Sequence, residues 1–326
     1  ARAATRRIRR EVLGFYYGWY ANPAISDRYI HWTGPTGKEA PDEKPPLNTP
    51  LLGLYDSHDP AVVRQHVAWA RQAGLTGLIS GAWARDARTD ESTRLLVAEL
   101  AAARMKASVY IEGQKNGYDG AVADLRQLLT THAKSAAWLR VGNRPVIFFY
   151  QASLRALAPA EWRRAAKQIA AEGFPEPILI GDVDPRLPTY DMLAAPLDGT
   201  HIYVNTRDLA GKSPVEMLAY AKVNYPQWRA KSAGKMIQCA TVSPGYNDTK
   251  TPITPARNYP RYIVHRYGTA MLAAQWQAAV GTDPDWVLLT SFNAWNDGAE
   301  LEPSREWGTL TIDANRPLAE AFLRRG

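Results

Sequence analysis

The sequence predicts a (β/α)8 barrel, an α/β fold in a single domain with long loops at the carboxyl ends of its strands. Eight short apolar runs alternate with helical patterns along the 326 residues. The runs are apolar throughout, as in parallel strands covered on both faces. A doubly wound sheet is the alternative, but it commonly carries a glycine-rich phosphate loop that is missing here. The predicted strands are Val12–Tyr17, Thr76–Trp83, Ala107–Glu112, Pro145–Tyr150, Pro177–Asp182, Thr200–Val204, Met236–Val242 and Trp286–Phe292.

Helical patterns lie between these runs, and two of them begin with clear signals. Asp59 is a good N-cap with Pro60 at the first helical position, and Gly74 fits the end of the same helix. Ser213 and Glu216 have the spacing of a capping box. The other predicted helices are Glu91–Arg104, Asp119–Lys134, Pro159–Glu172, Tyr259–Val280 and Pro317–Arg325.

Three unusually long loops follow predicted strands, namely Gly18–Tyr55, Ser243–Pro260 and Asn293–Arg316. In a barrel, such loops gather at the face formed by the carboxyl ends of the strands, where active sites lie. The loops are rich in Trp, Tyr, Asp, Glu and Asn. Aromatic rings stack on the C–H faces of sugars, while carboxylates and amides bind their hydroxyls, so the loops indicate a carbohydrate site.

Composition and charge limit the number of domains and the kinds of partner that the sequence allows. Five arginines among the first ten residues supply most of the net charge of +7, and without them it is +2. We therefore expect a basic tail over 1–11, one domain over 12–326 and no nucleic-acid partner. No apolar run approaches the roughly 18 residues of a membrane span, and the single Cys239 excludes an internal disulfide. A monomer without a cofactor is expected, secreted or periplasmic after loss of a leader.

The densest cluster of candidate catalytic residues follows the last predicted strand. Asp297, Glu300 and Glu302 lie within six residues of one another, beside Asn293 and Trp295. Glycoside hydrolysis needs acid and base functions around one anomeric carbon, usually from carboxyl groups. An acidic, solvated loop is the alternative interpretation of the same residues.

Further candidates end other predicted strands or lie in the long loops. Glu112 ends the third strand and Asp182 ends the fifth, where a barrel carries site groups, although structural ion pairs would also explain them. His58 fits a site or the core equally well, and the aromatic cluster after the first strand fits either sugar contact or packing. The predicted sugar-contacting residues are Tyr17, Trp19, Tyr20, His31, Trp32, Asp56, His58, Asp182, Tyr203, Tyr246, Asn293, Trp295, Asn296 and Glu302.

Other kinds of catalytic site receive little support from the sequence. The six histidines show neither HxH nor HExxH spacing, so no metal site is predicted. No GxSxG motif occurs, which argues against a serine hydrolase of the α/β-hydrolase type.

Five segments together resemble glycoside hydrolase family 99, which contains endo-α-mannosidases and endo-α-1,2-mannanases. They keep the same order and cover nearly the whole chain. The resemblance implies a (β/α)8 barrel and an endo-acting, retaining α-glycosidase that needs no metal and acts on a poly- or oligosaccharide. The segments are Gly14-Phe-Tyr-Tyr-Gly-Trp-Tyr20, Tyr55-Asp-Ser-His-Asp-Pro60, Val109-Tyr-Ile-Glu112, Ser243-Pro-Gly-Tyr-Asn-Asp-Thr249 and Thr290-Ser-Phe-Asn-Ala-Trp-Asn-Asp-Gly298.

The resemblance also implies catalytic roles, and one of them is vacant here. In that family a glutamate deprotonates the sugar's own 2-hydroxyl, which attacks C1 to give a 1,2-anhydro sugar. A second carboxylic acid, three residues on, protonates the leaving oxygen and later activates water. The family pattern Ser-Phe-Asn-Glu-Trp-His-Glu-Gly places Ala294 at the first glutamate, Asn296 at the histidine and Asp297 at the second glutamate.

Three explanations of Ala294 stay open at this point. An engineered replacement of glutamate would leave the rest of the motif intact. The enzyme could instead take its base from Glu112, Asp182 or Glu300, or the protein could be a glycan-binding relative without activity. The sequence after the last strand also resembles the α-1,3-glucanases of family 71, which keep an Asp and a Glu three residues apart, like Asp297 and Glu300.

Overall fold

The computed structural model describes residues 8–44, 47–83, 85–203, 205–233, 236–251 and 260–325. Eight parallel strands close into a barrel, because β1 pairs with both β2 and β8 and the remaining neighbours pair in chain order. The predicted (β/α)8 barrel is confirmed. The strands are β1 (Glu11–Tyr16), β2 (Gly77–Trp83), β3 (Lys106–Gly113), β4 (Arg144–Phe149), β5 (Ile178–Asp182), β6 (Gly199–His201), β7 (Ile237–Val242) and β8 (Trp286–Leu289).

Within the described residues, eight helices surround the barrel, one after each strand. Shorter elements decorate it: α-helical turns at Pro23–Ser26 and Gln151–Ala156, 3-10 turns at Thr206–Leu209 and Trp295–Asp297, a strand at Arg140–Val141, and a hairpin that pairs Tyr246–Asn247 with Ile263–Val264. The helices are α1 (Pro60–Gln72), α2 (Ala87–Ala102), α3 (Gly117–Thr131), α4 (Pro159–Ala171), α5 (Tyr190–Ala194), α6 (Pro214–Ser232), α7 (Ala270–Val280) and α8 (Leu310–Leu323).

Local signals in the sequence account for the starts of α1 and α6. The Asp59 carboxylate accepts a hydrogen bond of 2.8 Å from the backbone N–H of Ala61, which satisfies an orphan donor of the first turn. The Ser213 and Glu216 side chains each bind the other's backbone N–H, which completes the predicted capping box. Both predicted helix starts are confirmed.

The core has two layers, which follow from the alternation of side chains along each strand. In β1, Leu13 and Phe15 point into the barrel, while Val12 packs outward against the helices. In β8, Leu288 faces the interior and Val287 the helices. Each such fully buried apolar side chain contributes about 1.5–3 kcal/mol, and the packed interior supports the site above it.

The two last predicted helices have wrong starting points. The segment predicted as a helix from Tyr259 instead forms the strand Ile263–Val264, and Gly268 has a positive φ of 66° just before α7; residues 252–259 lie outside the described part. Helix α8 begins at Leu310, ahead of the predicted Pro317. A proline inside the helix lacks only one N–H donor, and tertiary packing overrides the predicted break.

The described part of the predicted tail already contacts the barrel. Arg10 donates a hydrogen bond of 2.6 Å to Asp283, and its guanidinium lies 4.7 Å from the centroid of the Phe322 ring. Residues 1–7 lie outside the described part of the chain. The predicted boundary after residue 11 falls within β1, which begins at Glu11.

Candidate active site

The carboxyl ends of the strands bring the candidate groups to one face of the barrel. Glu112 and Asp182 lie at the ends of β3 and β5, and Asp297 lies on the 3-10 turn after β8. Three tyrosines follow other strands at the same level, namely Tyr17, Tyr150 and Tyr203. Residues that are far apart in the chain therefore meet because each ends a parallel strand.

Three carboxyl groups form the centre of this face. Burial raises the pKa of Glu112 well above its ordinary value, and the nearby carboxylates of Asp182 and Asp297 raise it further. Burial likewise raises the pKa of Asp182 to about 7, although the hydrogen bonds that it accepts oppose the shift. Clustered carboxyl groups with raised pKa values are a frequent property of catalytic sites.

Asp182 is held by donors from its neighbours. Its Oδ1 accepts a hydrogen bond of 3.0 Å from the backbone N–H of Tyr203, and its Oδ2 accepts one of 3.4 Å from the Tyr110 hydroxyl. The side chain is 8% exposed. Asp182 is therefore fixed in position and ties β5 to the ring of tyrosines.

Glu112 differs from Asp182 in having an unused acceptor. Its Oε1 is enclosed and has no hydrogen-bond partner among the described residues, although the side chain as a whole is half-buried. Gly81 on β2 lies next to it and makes room for the Tyr17 ring, since a Cβ there would lie 2.9 Å from a Tyr17 ring carbon, while its 3.5 Å distance to Glu112 Oε1 would be an ordinary contact. Buried polar atoms normally find a partner, so this oxygen is available to a ligand.

Asp297 lies at the end of the turn Trp295–Asp297, where Gly298 adopts a left-handed φ of 55° and closes the turn. The side chain is half-exposed, and its charge raises the pKa values of Glu112 and Tyr203. Ala294 begins the same turn, is 4% exposed, and its backbone N–H donates a hydrogen bond of 2.6 Å to Ser291 Oγ. Ala294, at the position where the resemblance predicts a base, thus lies within the wall of the site.

Aromatic rings line the site beside β1 and β2. The Tyr17 hydroxyl donates a hydrogen bond of 2.6 Å to the Tyr203 hydroxyl. Trp19 stacks on Tyr17 with ring centroids 4.3 Å apart and on His31 at 4.7 Å. The ring centroids of Trp83 and Trp19 are 5.1 Å apart, and Trp83 is half-buried. The structure therefore brings four of the predicted sugar-contacting residues together: Tyr17, Trp19, His31 and Tyr203.

The two other carboxylates of the cluster after β8 lie away from this centre. Glu302 is 2% exposed and accepts hydrogen bonds of 2.8 Å from the Tyr55 hydroxyl and 3.0 Å from Trp295 Nε1. His66 Nε2 lies 3.1 Å from its other oxygen. Asn293 is fully buried and binds both backbone groups of Tyr17. These contacts fix the loop, so Glu302, Trp295 and Asn293 support the site from behind.

Glu300 is enclosed on the opposite side of the same loop. Arg266 contacts its carboxylate at 2.6 Å, and Asn48 donates a hydrogen bond of 2.6 Å to the same oxygen. Burial raises the pKa of Glu300, while Arg266 opposes that shift. A carboxylate that is 1% exposed and ion-paired is poorly placed to reach a sugar, which argues against the predicted pairing of Asp297 with Glu300.

Several predicted sugar contacts are occupied by the protein itself. Tyr20 and Trp32 are almost fully buried and stack with ring centroids 4.2 Å apart. Asp56 accepts a hydrogen bond of 3.1 Å from Arg88, and His58 Nε2 lies 2.9 Å from the Arg88 carbonyl oxygen. These four residues hold the long loop after β1 in place; Tyr20, Trp32 and Asp56 are buried and have packing roles, whereas His58 is half-buried and its sugar contact stays a prediction.

Tyr246 and Asn296 lie at the edge of the site near β7. Tyr246 is 7% exposed and stacks on Tyr262 at 4.5 Å. The backbone carbonyl of Asn296 accepts a hydrogen bond of 2.5 Å from the Thr251 hydroxyl, and its side chain is half-buried. Asn296 directly precedes Asp297 on the turn after β8.

Three site residues escaped the sequence analysis. Trp83 ends β2, Tyr150 directly follows β4, and Tyr110 lies inside β3 with its ring 5.7 Å from that of Tyr203. Burial and the charge of Asp182 raise the pKa of Tyr150 to about 12. Their positions at or near strand ends, next to Glu112 in the barrel order, were the signal that could have found them.

The described residues also bear on metal and membrane binding. Within them, no group of three or more His, Cys, Asp or Glu side chains is arranged to hold a metal ion. Nor does any helix in the described ranges have the length and apolarity to cross a membrane.

A closed barrel with clustered carboxyls and aromatic rings at the carboxyl ends of its strands is typical of carbohydrate-active hydrolases. The sequence model of Glycosyl hydrolase family 99 matches residues 8–312. The chain belongs to this family, which confirms the resemblance, and it is a glycoside hydrolase by class.

Relatives and a solved structure agree with this membership. A glycoprotein endo-alpha-1,2-mannosidase-like protein from Mus musculus is 25% identical over 98% of this chain and 78% of its own length. Its counterpart from Homo sapiens is 26% identical over 98% of this chain and 77% of its own length. The solved structure of an endo-alpha-mannosidase from Bacteroides thetaiotaomicron has a TM-score of 0.75 at 21% identity and covers 97% of this chain and 99% of that one. The structural likeness supports the fold.

Proposed function

We propose that this protein is an endo-acting, retaining α-mannosidase that cleaves an internal α-linkage of a mannose-containing oligo- or polysaccharide. One observation carries the proposal: Asp297, at the family's acid/base position, lies at the same barrel face as Glu112 and acts electrostatically on it. The names of the mammalian relatives support mannose as the sugar. The half-exposed aromatic rings beside β1 and β2 fit a bound glycan.

Asp297 serves as the general acid and then as the general base. Its carboxylic acid protonates the leaving oxygen, and the resulting carboxylate takes a proton from the attacking water. Aspartate is one methylene shorter than the family's glutamate, so the leaving oxygen must come closer to the turn Trp295–Asp297. Tyr203 and Tyr17 lie beside this path and can bind sugar hydroxyls.

We also infer the setting in which the protein works. The candidate site is formed from strands and loops of one chain, so a monomer would have a complete site. The charge outside the arginine-rich start is close to balanced, which supports a glycan partner without nucleic acid. A glycoprotein or polysaccharide substrate is consistent with a secreted or periplasmic location.

The test is a digestion of defined oligosaccharides by the purified protein. α-1,2-linked manno-oligosaccharides labelled at the reducing end are the substrates, and an α-1,3-glucan series is the control. We expect release of a saccharide from an internal linkage of the mannan, with the product first appearing as the α-anomer by NMR. A first-formed β-anomer, or cleavage of the glucan alone, would contradict the proposal.

Ala294 favours a second candidate, a glycan-binding protein without catalysis. The family base position holds a methyl group, and losing a base removes a transition-state interaction while leaving most ground-state contacts. Calorimetry with the same manno-oligosaccharides separates the two candidates. Binding without turnover over long incubation supports the second candidate, whereas turnover excludes it.

A further inference from the structure

The family reaction needs an acceptor for the proton of the 2-hydroxyl, and Ala294 cannot supply one. The question rests on the proposed function, since only a 1,2-anhydro mechanism requires that acceptor. Ala294 is 4% exposed and lies in an apolar cluster. Its methyl group cannot accept a proton. Another carboxyl group at the same face must take the proton if the chain is active.

The other carboxyl groups near the site are held by the protein. Glu300 is ion-paired with Arg266 through one oxygen; its second oxygen also lacks a partner among the described residues, but the side chain is 1% exposed, whereas Glu112 is half-buried at the barrel face. Glu302 binds Tyr55 on one oxygen and lies against His66 with the other. A carboxylate that already accepts hydrogen bonds or an ion pair is a weaker proton acceptor.

Asp182 is also engaged, although it lies in the central cluster. Backbone N–H groups of Tyr203 and Gln151 and the hydroxyl of Tyr110 donate to it. Both oxygens therefore carry protein donors, at 3.0 Å from Tyr203 N and 3.4 Å from the Tyr110 hydroxyl. Its geometry suits a fixed anchor that holds a neighbouring ring or a sugar hydroxyl in place.

Glu112 has an unused acceptor at the central face. Its Oε1 has no partner within the described residues, and the side chain is half-buried beside Gly81 and Tyr17. We propose that Glu112 accepts the proton of the substrate's 2-hydroxyl, in place of the side chain missing at position 294. Glu112 thereby becomes a catalytic residue of this chain.

The step balances with the two carboxyl groups alone. The Glu112 carboxylate takes the O2 proton while O2 forms a bond to C1, the bond from C1 to the leaving oxygen breaks, and the Asp297 carboxylic acid protonates that oxygen. Water then attacks C1, the bond from C1 to O2 breaks, Asp297 takes the water proton, and Glu112 returns its proton to O2. Two inversions at C1 give net retention.

The surroundings of Glu112 tune this role. The titratable groups that face it are Asp182 from β5 and Asp297 after β8, with tyrosines from its own strand and from the ends of β1, β4 and β6: Tyr110, Tyr17, Tyr150 and Tyr203. Burial and the two carboxylates raise its pKa, which strengthens it as a proton acceptor once ionised. We expect kcat/KM to rise with pH through this ionisation.

The experiment compares Glu112→Gln, Ala294→Glu and the double variant on manno-oligosaccharides, with Glu172→Gln on the exposed end of α4 as the matched control. We expect Glu112→Gln to lower kcat about 10³-fold, as for removal of a positioned base, with the thermal unfolding midpoint maintained. In the double variant, the Ala294→Glu change should raise kcat at least about 10-fold above that of Glu112→Gln alone. Added formate should partly restore kcat in Glu112→Ala, because it supplies a carboxylate that can accept the proton. A merely structural role of Glu112 would not allow this rescue.

The outcomes separate this inference from the proposed function. A loss of less than about 10-fold in folded Glu112→Gln, with wild-type turnover intact, overturns the role of Glu112 alone. An inactive wild type together with an active Ala294→Glu variant shows that Glu112 does not act as a base, while the α-mannosidase class survives. Inactivity of both contradicts the proposed function and the inference with it.

Discussion

Carboxyl groups in two parts of the loop after β8 have opposite surroundings. Glu300 and Glu302 are buried and meet Arg266 and His66, whereas Asp297, in the same loop, is half-exposed toward the ends of other strands. Three carboxylates within six residues therefore divide into two that hold the loop and one that faces the site. The comparison shows that the partner of a carboxylate, rather than its place in an acidic run, decides its role.

The largest expected effect concerns the carboxylate that faces the site. Replacing Asp297 with Asn removes the proposed proton donor, so kcat on a manno-oligosaccharide should fall about 10³-fold. The unfolding midpoint should change little, because the side chain is half-exposed. Steady-state kinetics beside Asp119→Asn, an exposed control on α3, makes the measurement. A variant with near wild-type kcat would place the acid elsewhere.

A loop-holding carboxylate should behave in the opposite way. Glu300→Gln leaves Arg266 without its anionic partner in the interior, and breaking a buried ion pair costs about 3 kcal/mol in the free energy of unfolding. Urea denaturation measures that loss, and the specific activity of the folded fraction should fall far less than for Asp297→Asn. Equal stability of the variant and the wild type would remove Glu300 from the loop-holding group.

The raised pKa of Asp182 predicts a pH-dependent stability. Its value of about 7 in the folded protein exceeds the ordinary value of 3.8, so the folded state binds the proton more tightly than the unfolded state. The stabilisation is complete below about pH 4 and is lost as the pH rises toward 7. Asp182→Asn should flatten this fall by on the order of 4 kcal/mol.

Denaturation at several pH values checks this prediction. Asp124, whose pKa burial raises to about 6, adds a change of the same sign in both proteins and cancels in the difference between wild type and variant, which then reports Asp182 together with its effect on the pKa of Glu112. Parallel curves for the two proteins would mean that Asp182 titrates normally in the folded state.

The smallest effect is expected from the aromatic wall. Trp83 is half-buried, and its ring is tilted by 42° against that of Trp19, so part of it is open to a sugar. Trp83→Ala should weaken oligosaccharide binding by about 1 kcal/mol, roughly fivefold in Kd, by analogy with other aromatic contacts. Trp83→Phe is the matched control and should retain most of the affinity in calorimetry. Unchanged affinity in both variants would exclude this surface as a subsite.

Much of the fold could be predicted from the sequence because barrel strands are buried on both faces and are therefore apolar throughout. The predicted strands overlap all eight observed ones, and β2, β5 and β7 end at the predicted residues. The predicted start at Tyr259 fails because Ile263 and Val264 pair with residues of the preceding loop. Such a pairing between distant residues leaves no periodic signal in the sequence.

The candidate site was predictable only as a set of strand-end groups. Glu112 and Asp182 were found because an acidic side chain ends an apolar strand. The sequence could not show that Arg266 reaches Glu300 or that His66 reaches Glu302, since those partners come from different elements. For the same reason, buried Tyr20 and half-buried Trp19 look alike in the sequence.

The most direct test of the division within the loop after β8 is the dependence of kcat/KM on the leaving group. Wild type and Asp297→Asn are compared on aryl α-mannobiosides whose phenols span a range of pKa values. Loss of the acid should hurt poor leaving groups most and spare activated ones, so the slope against phenol pKa steepens in Asp297→Asn and stays at the wild-type value in Glu302→Gln. Equal losses across the series in Asp297→Asn, or a steepened slope in Glu302→Gln, would contradict the account.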